Sequence, residues 1–229
     1  MAQPEFAPFA FAGHEWRIAA SRALYWPAEQ AVLVADLHLE KASWYAQSGQ
    51  MLPPYDSRET LERLSAAAEV TGARRVLCLG DNFHDDAGPG RMEPCAVELL
   101  AALARRVDLV WITGNHDAGL AGIPGTVVEE MHLRGIALRH EAMPRTTEPE
   151  ISGHYHPKLR VTLRGRSITR PCALRSENRL ILPAFGALTG GLDATDSALI
   201  AALQPARAID AVLYAGGKAV QIPVWRPKD

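Results

Sequence analysis

Three times in the first half of the chain, an apolar run ends abruptly in a cluster of polar side chains. Ala31–Ala35 (AVLVA) runs into Asp36-Leu37-His38, and Arg75–Leu79 into Gly80-Asp81-Asn82. Val107–Ile112 leads, after Thr113, into Gly114-Asn115-His116-Asp117. Short apolar runs bounded by turn residues read as buried strands. Helical patterns lie between them. Ser57–Val70 sets Leu61, Leu64, Ala67 and Ala68 on one face, with Asp56 and Glu59 in capping-box spacing and Gly72 at the end. Glu93–Leu103 reads as a second helix. This β-α-β-α-β order requires parallel strands covered by helices. Ligand sites in such sheets lie beyond the carboxyl ends of the strands, so the polar clusters should converge.

From Ile136 onward short β-like runs dominate: Ile136–Arg139, Leu159–Leu163, Leu180–Leu182, Ala211–Tyr214 and Val220–Val224, separated by Gly and Pro. Two stacked mixed β-sheets flanked by helices, a four-layer αββα arrangement, would hold both halves. The 229 residues contain no repeat, low-complexity tract or long linker, which predicts one domain over residues 1–229. Apolar residues at 48% and charged residues at 22% exclude a disordered or fibrous chain. No apolar run approaches the roughly 18 residues of a membrane span. The N-terminus has no basic segment and carries Glu5, which argues against a secretory leader. Cys78, Cys95 and Cys172 form no CxxC and are odd in number, so a reducing cytoplasm is expected.

A fourth cluster, Gly153-His154-Tyr155-His156, follows Ile151-Ser152. Carboxylate, amide oxygen and imidazole together suit Mn²⁺, Fe or Zn²⁺, and the lack of thiolates argues against a structural zinc. Asp36 with His38, and His154 with His156, are spaced to lie on one side of an extended segment. The glycines before Asp81, Asn115 and His154 permit tight turns and close approach to a ligand.

These four motifs, D-x-H, G-D, G-N-H-D and G-H-x-H in this order, resemble those of the calcineurin-like metallophosphoesterases. A longer set is similar to the bacterial DNA-ligase-associated DNA damage response phosphoesterases, the PdeM family. It comprises DLHLEK from Asp36, PPYDSRETL from Pro53, GDNFHD from Gly80, EISGHYHP from Glu150, RPC from Arg170 and LPAFGALTGGL from Leu182. The resemblance implies a metallophosphoesterase sandwich and two divalent cations, Mn²⁺ first, with Fe or Zn²⁺ as alternatives. By resemblance, Asp36, His38 and His156 would hold one metal, Asn115 and His154 the second, and Asp81 would bridge them. A further histidine ligand to the second metal is expected at His140, in LRHEAMP, in preference to His132. His84 occupies a position where many members carry Asp, although the subgroup shows the same FHD. Its role stays open between orienting a ligand, contacting substrate, and neither. No insertion large enough for a capping domain is present.

The resemblance further implies phosphodiester hydrolysis in nucleic acid, in a DNA-repair setting with a ligase, helicase or exonuclease as partners. His116 is expected near the leaving oxygen as a proton donor, and Asp117 is expected to orient it. Between Lys158 and Arg179 the chain carries a local net charge of +6, which reads either as a solvated strand face or as a grip on a phosphate backbone. Arg160, Arg164 and Arg166 are the expected contacts in the second reading. Trp44 and Tyr45, expected in a loop after the first motif, either stack on a base or pack, with packing favoured for Trp44. Ala184–Gly191 is either a loop at the site or a turn between strands. A small-molecule phosphoesterase such as a nucleotide pyrophosphatase fits the same motifs and the total charge of −2. A metal-binding scaffold without turnover is a third reading.

Overall fold

The fold is that of a computed structural model, which describes residues 5–143, 145–163 and 165–227. Strands β1 (Phe6–Phe11), β2 (His14–Ala19), β3 (Leu24–Trp26) and β4 (Ala31–Val34) are followed by helices α1 (Lys41–Gln47) and α2 (Asp56–Thr71). Then come β5 (Arg75–Leu79), α3 (Pro94–Arg106), β6 (Asp108–Ile112) and β7 (Thr126–Val128). These seven strands form one sheet in sequence order, antiparallel from β1 to β4 and parallel from β4 to β7. The chain continues through β8 (Met131–Leu133), β9 (Ile136–Leu138), β10 (Glu150–Ser152), β11 (Lys158–Leu163) and β12 (Arg166–Pro171). It ends with β13 (Ala173–Arg175), β14 (Arg179–Ile181), α4 (Ser197–Ala202), β15 (Ile209–Ala215) and β16 (Lys218–Trp225). The second sheet has the order β16-β15-β13-β14-β10-β9-β8, while β11 and β12 form a separate hairpin.

Burial explains the two kinds of strand pattern. Every residue of β4 is buried, as it must be in a parallel strand covered on both faces, whereas β1 alternates because one face meets water. Leu61 and Leu64 of α2 and Leu100 and Leu103 of α3 pack on the outer face of the first sheet, against Val32, Val76 and Trp111. Trp16, Leu33, Leu77, Leu138, Ile151 and Leu180 fill the space between the sheets. Leu199 and Leu203 cover Leu174 and Ile181 on the far side. The layers are therefore α, β, β, α, as expected, with a thin fourth layer built from α4 and the hairpin. Among the described residues no helix is long and apolar enough to cross a membrane.

Two local expectations change. Asp56 does not cap its own helix. Its Oδ2 accepts the Ala42 N–H at 3.0 Å, at the start of α1. Ser57 Oγ accepts the Glu40 N–H at 2.8 Å and donates to Glu40 Oε1 at 2.7 Å, so the first residues of α2 pin α1. α3 runs to Arg106, beyond the expected Leu103, because Pro94 suits a first turn and Arg105 and Arg106 complement the negative helix end.

Arg179, counted above as part of a basic surface run, is 1% exposed. Its Nε lies 3.0 Å from Glu150 Oε1, close enough for an ion pair though not aligned as a hydrogen bond. Its Nη1 donates to the carbonyls of Ala202 and Gln204, and its Nη2 to those of Met143 and Thr146. One guanidinium thus ties β14 to β10, to the end of α4 and to the carbonyls of Met143 and Thr146. Removing one member of a buried pair costs roughly 3–5 kcal/mol because the other charge is stranded. Arg179→Ala is expected to lower stability by about that amount in a denaturant titration. A loss of under about 1 kcal/mol would show that the pair and its carbonyls are not holding the second sheet to α4.

Candidate metal centre

All four polar clusters lie beyond strand ends, on one edge shared by the two sheets. The loops after β4 and β5 are zipped together, with Asp36 N–H on Gly80 O at 3.1 Å, His38 N–H on Asp81 O at 2.9 Å and Leu39 N–H on Asn82 O at 2.8 Å. Gly153 N–H on His140 O at 2.8 Å joins the corresponding loops of the second sheet. Within them Asp36, His38, Asp81, His154 and His156 all adopt left-handed backbone, with φ of 53°, 45°, 46°, 71° and 50°. Non-glycine residues hold this conformation only where the surroundings over-determine it, typically at functional sites. The paired residues therefore do not converge through the pleat of an extended segment, as expected, but through successive left-handed turns. Two glycines make room. A Cβ on Gly114 would lie 2.2 Å from Asp81 N, and one on Gly80 would lie 2.2 Å from His140 Nδ1.

Three overlapping donor groups result: Asp36 with His38 and His156, His38 with Asp81 and His116, and Asp81 with His140 and His154. His38 Nε2 and His156 Nε2 stand 3.3 Å apart, and His156 Nε2 is 3.6 Å from Asp36 Oδ1. On the other side His140 Nε2 is 3.0 Å from His154 Nδ1 and 3.4 Å from Asp81 Oδ1. The second oxygen of Asp81, Oδ2, faces His38 Nε2 at 3.8 Å. His140 Nδ1 lies 3.3 Å from Leu79 O, which assigns its proton to that nitrogen and leaves the Nε2 lone pair toward Asp81. Donors each ~2.1 Å from one cation stand about 3.0–3.4 Å apart at octahedral to tetrahedral angles. The closest observed spacings match, and the donors are carboxylate and imidazole, so the residues fit divalent cations. Burial first, then the neighbouring His156 and Lys41, depresses His38 to about 2. It is therefore neutral, the form that ligates. His132 lies elsewhere, exposed and 3.1 Å from Glu148.

Around this centre the expected roles divide. His116 is half-exposed, its N–H donates to Asp81 Oδ1 at 3.1 Å, and its Nε2 is 4.0 Å from Asp81 Oδ2. Asp117 does not orient it. The Asp117 carboxylate is buried and takes the N–H groups of Asn82 (2.7 Å), Phe83 (3.1 Å) and Gly114 (2.7 Å). Burial raises its pKa against the opposing effect of those three donors. Asp117 thus locks two loops together, while His116 Nδ1 meets the backbone carbonyl of His84 at 3.0 Å. Asn115 is exposed in the same loop, between Gly114 and His116. Asn82, which the sequence offered only as part of a turn, is fully buried and donates to Ile112 O at 2.8 Å, tying the loop after β5 to β6. Asp85 is taken up by Arg91, with Nη2 to Oδ1 at 2.5 Å. The ring of His84 lies parallel to that of His116, 5.0 Å away, and burial followed by Lys41 and His116 lowers its pKa to about 4.

The basic run splits. Arg179 is buried, and Arg175 lies 3.6 Å from Asp210. Arg160 pairs with Thr169 and Arg166 with Leu163 across the hairpin, so the two arginines project from opposite faces. They do not make one surface. Arg164 lies outside the described residues. Trp44 and Tyr45 are in α1 and not in a loop, and Trp44 is 39% exposed and not packed away. The segment 184–191 is at the site: Phe185 N–H donates to Ala35 O at 2.8 Å and Gly186 N–H to Asp36 O at 3.2 Å.

The family model of the calcineurin-like phosphoesterases matches residues 31–215. No curated protein matches the sequence significantly. Among solved structures the chain is similar to the Pseudomonas putida nuclease MPE, at 31% identity and a TM-score of 0.70, over 95% of this chain and 100% of that one. It is also similar to Yfce, a phosphoesterase from E. coli, at 16% identity and a TM-score of 0.41, over 85% and 98%. A protein of unknown function, AQ665 from Aquifex aeolicus, matches at 16% identity and a TM-score of 0.40, over 55% and 78%. A family match that runs from β4 through β15 and takes in every residue of the donor groups makes this chain a member of the calcineurin-like phosphoesterase family.

Proposed function

We propose that the protein is a binuclear-metal-dependent phosphodiesterase that cleaves nucleic acid, with Mn²⁺ as the working metal. The observation that carries this reading is Asp81, whose two oxygens face two separate imidazole groups. Asp36, His38 and His156 would hold one cation, His140, His154 and Asn115 the other, and Asp81 both. Two cations held there would supply a nucleophile from water at neutral pH and neutralise the phosphoryl oxygens. The chain's own groups do the rest. Asp36 is held in place by the His154 N–H, which donates to both its oxygens at 3.0 and 2.9 Å. His116 Nδ1–H donates to the His84 carbonyl, which fixes the ring with Nε2 4.0 Å from Asp81 Oδ2; as an imidazolium, protonated on both nitrogens, it would give its Nε2 proton to the departing oxygen. The similarity to a P. putida nuclease supports a polymer substrate. A DNA-repair setting beside a ligase belongs to the same proposal through the resemblance of the sequence motifs. A nucleotide-sized substrate is the second reading, and the dispersal of the basic run favours it.

Both readings are tested with a labelled single-stranded oligonucleotide and methyl 4-nitrophenyl phosphate, in Mn²⁺. Asp81→Asn is expected to abolish turnover of both and to lower bound metal measured by plasma emission. Full activity in that variant would remove the bridging role. His116→Gln is expected to cut kcat on the oligonucleotide by about 10²–10⁴-fold with metal content retained, and to cut it less on the aryl ester, whose leaving group needs no proton. Equal losses on the two substrates would contradict the proton-donor assignment. Turnover of the ester alone by the unmodified protein would favour the nucleotide-sized substrate.

A further inference from the structure

Beside the metal centre a cavity of about 450 Å³ opens between α1 and the 184–191 segment, lined by Lys41, Tyr45, Gln50, Leu52, Leu188 and Thr189. Both walls are held. α1 is pinned by Asp56 and Ser57. The opposite segment is pinned by Arg63, which donates to Phe185 O, by Thr60, whose Oγ1 accepts the Ala187 N–H at 3.0 Å, and by Thr189 Oγ1 on Gly186 O at 3.0 Å. A Cβ on Gly186 would lie 2.1 Å from Leu37 O, so this wall presses directly on the loop that carries Asp36 and His38.

One aromatic ring, that of Tyr45, lines the cavity, and behind it further rings lead toward the metal centre. Tyr45 lies near-parallel to His84, with centroids 6.2 Å apart at 19°, and His84 lies near-parallel to His116, at 5.0 Å and 19°. Trp44 meets His84 edge-on at 4.7 Å and 81°. Tyr45 thus extends a ladder of planar rings outward from the centre, and its ring forms part of the cavity lining. Lys41 lies at the inner end, half-buried, and its ammonium forms no salt bridge among the described residues. Asp56 is its strongest electrostatic neighbour, and the ammonium also lies within range of Asp81 and His38. A planar apolar face beside an unpaired cation, one step from a phosphoester centre, is the chemistry that receives a base and its neighbouring phosphate.

We propose that this cavity is a nucleoside subsite, in which a base of single-stranded nucleic acid stacks on Tyr45 while Lys41 contacts the phosphate next to the scissile one. The assignment rests on the nucleic-acid reading above, and it locates substrate selection on α1 instead of on the β11–β12 hairpin. Tyr45→Phe keeps the ring, Tyr45→Ala removes it, and Lys41→Gln removes the charge.

The readout is kcat/KM for the oligonucleotide divided by kcat/KM for methyl 4-nitrophenyl phosphate, which carries no base. Tyr45→Ala is expected to lower that ratio about tenfold or more, mainly through KM, with Tyr45→Phe restoring it. Lys41→Gln is expected to reduce the slope of log affinity against log salt by about one. Binding of a fluorescent oligonucleotide to the metal-free protein, followed by anisotropy, reads the same subsite without turnover. About tenfold weaker binding by Tyr45→Ala than by the unmodified protein would uphold the subsite even if no substrate were cleaved, which would overturn only the nuclease reading. An unchanged ratio and unchanged binding in Tyr45→Ala would overturn the subsite while leaving cleavage intact.

Discussion

Two carboxylates, Asp36 and Asp81, are almost completely removed from water at the edge where the two sheets meet. An isolated buried carboxylate is unstable unless it is hydrogen-bonded and paired, and much of the surrounding architecture answers that requirement. The backbone N–H of His154 serves Asp36, and that of His116 serves Asp81. Imidazoles line the remaining sides, and in the neutral form that ligates metals they carry no charge and cannot compensate two carboxylates. Cations can. The same desolvation that makes two unpaired carboxylates costly makes the cluster suited to holding divalent cations.

This constraint also explains the backbone. Ligand loops that only had to turn could do so with glycine, but these loops place carboxylate and imidazole residues themselves at positive φ. Such strain, of order 1–3 kcal/mol per residue, is offset by the ladder of loop-to-loop hydrogen bonds and by the Asp117 carboxylate, which collects backbone N–H groups from two loops. Asp117 belongs to the site as its clamp. A carboxylate next to an imidazole in sequence invites the assumption that it orients that imidazole. Here the imidazole is oriented by a main-chain carbonyl from another loop, contributed by His84. Arg179 plays a comparable part at larger scale: a charge that sequence alone would assign to the surface binds four carbonyls inside the second sheet's outer layer.

The substrate side follows the same logic of held walls. α1 is too short to be stable alone and is held by side chains from the start of α2, so Lys41, Trp44 and Tyr45 are presented on a fixed surface next to the centre. The hairpin carries Arg160 on one face and Arg166 and Arg170 on the other, and it is built as a separate unit. Local positive charge along a sequence is therefore a poor guide to where a phosphate backbone lies when the segment is a two-stranded ribbon, because its two faces divide the charges.

The parallel strands β4, β5 and β6, the two covering helices and the polar clusters at strand ends were legible in the sequence. The elements follow from near-neighbour physics: continuous apolar runs for doubly covered strands and a 3.6-residue period for helices. The assignment of ligands, with His140 preferred to His132, came through the family resemblance of the motifs, and the structure places His140 in a donor group with Asp81 and His154. What the sequence could not decide is everything set by contacts between distant segments. Whether Asp56 caps its own helix or the neighbouring one, whether Arg179 faces water or the core, and which atom holds His116 all depend on segments far apart in the chain. The left-handed turns that bring Asp36 to His154 likewise depend on hydrogen bonds across 118 positions. Local propensity determines the elements and the kinds of donor. Only tertiary packing determines partners, because a polar atom's partner is whichever group the fold brings within about 3 Å of it.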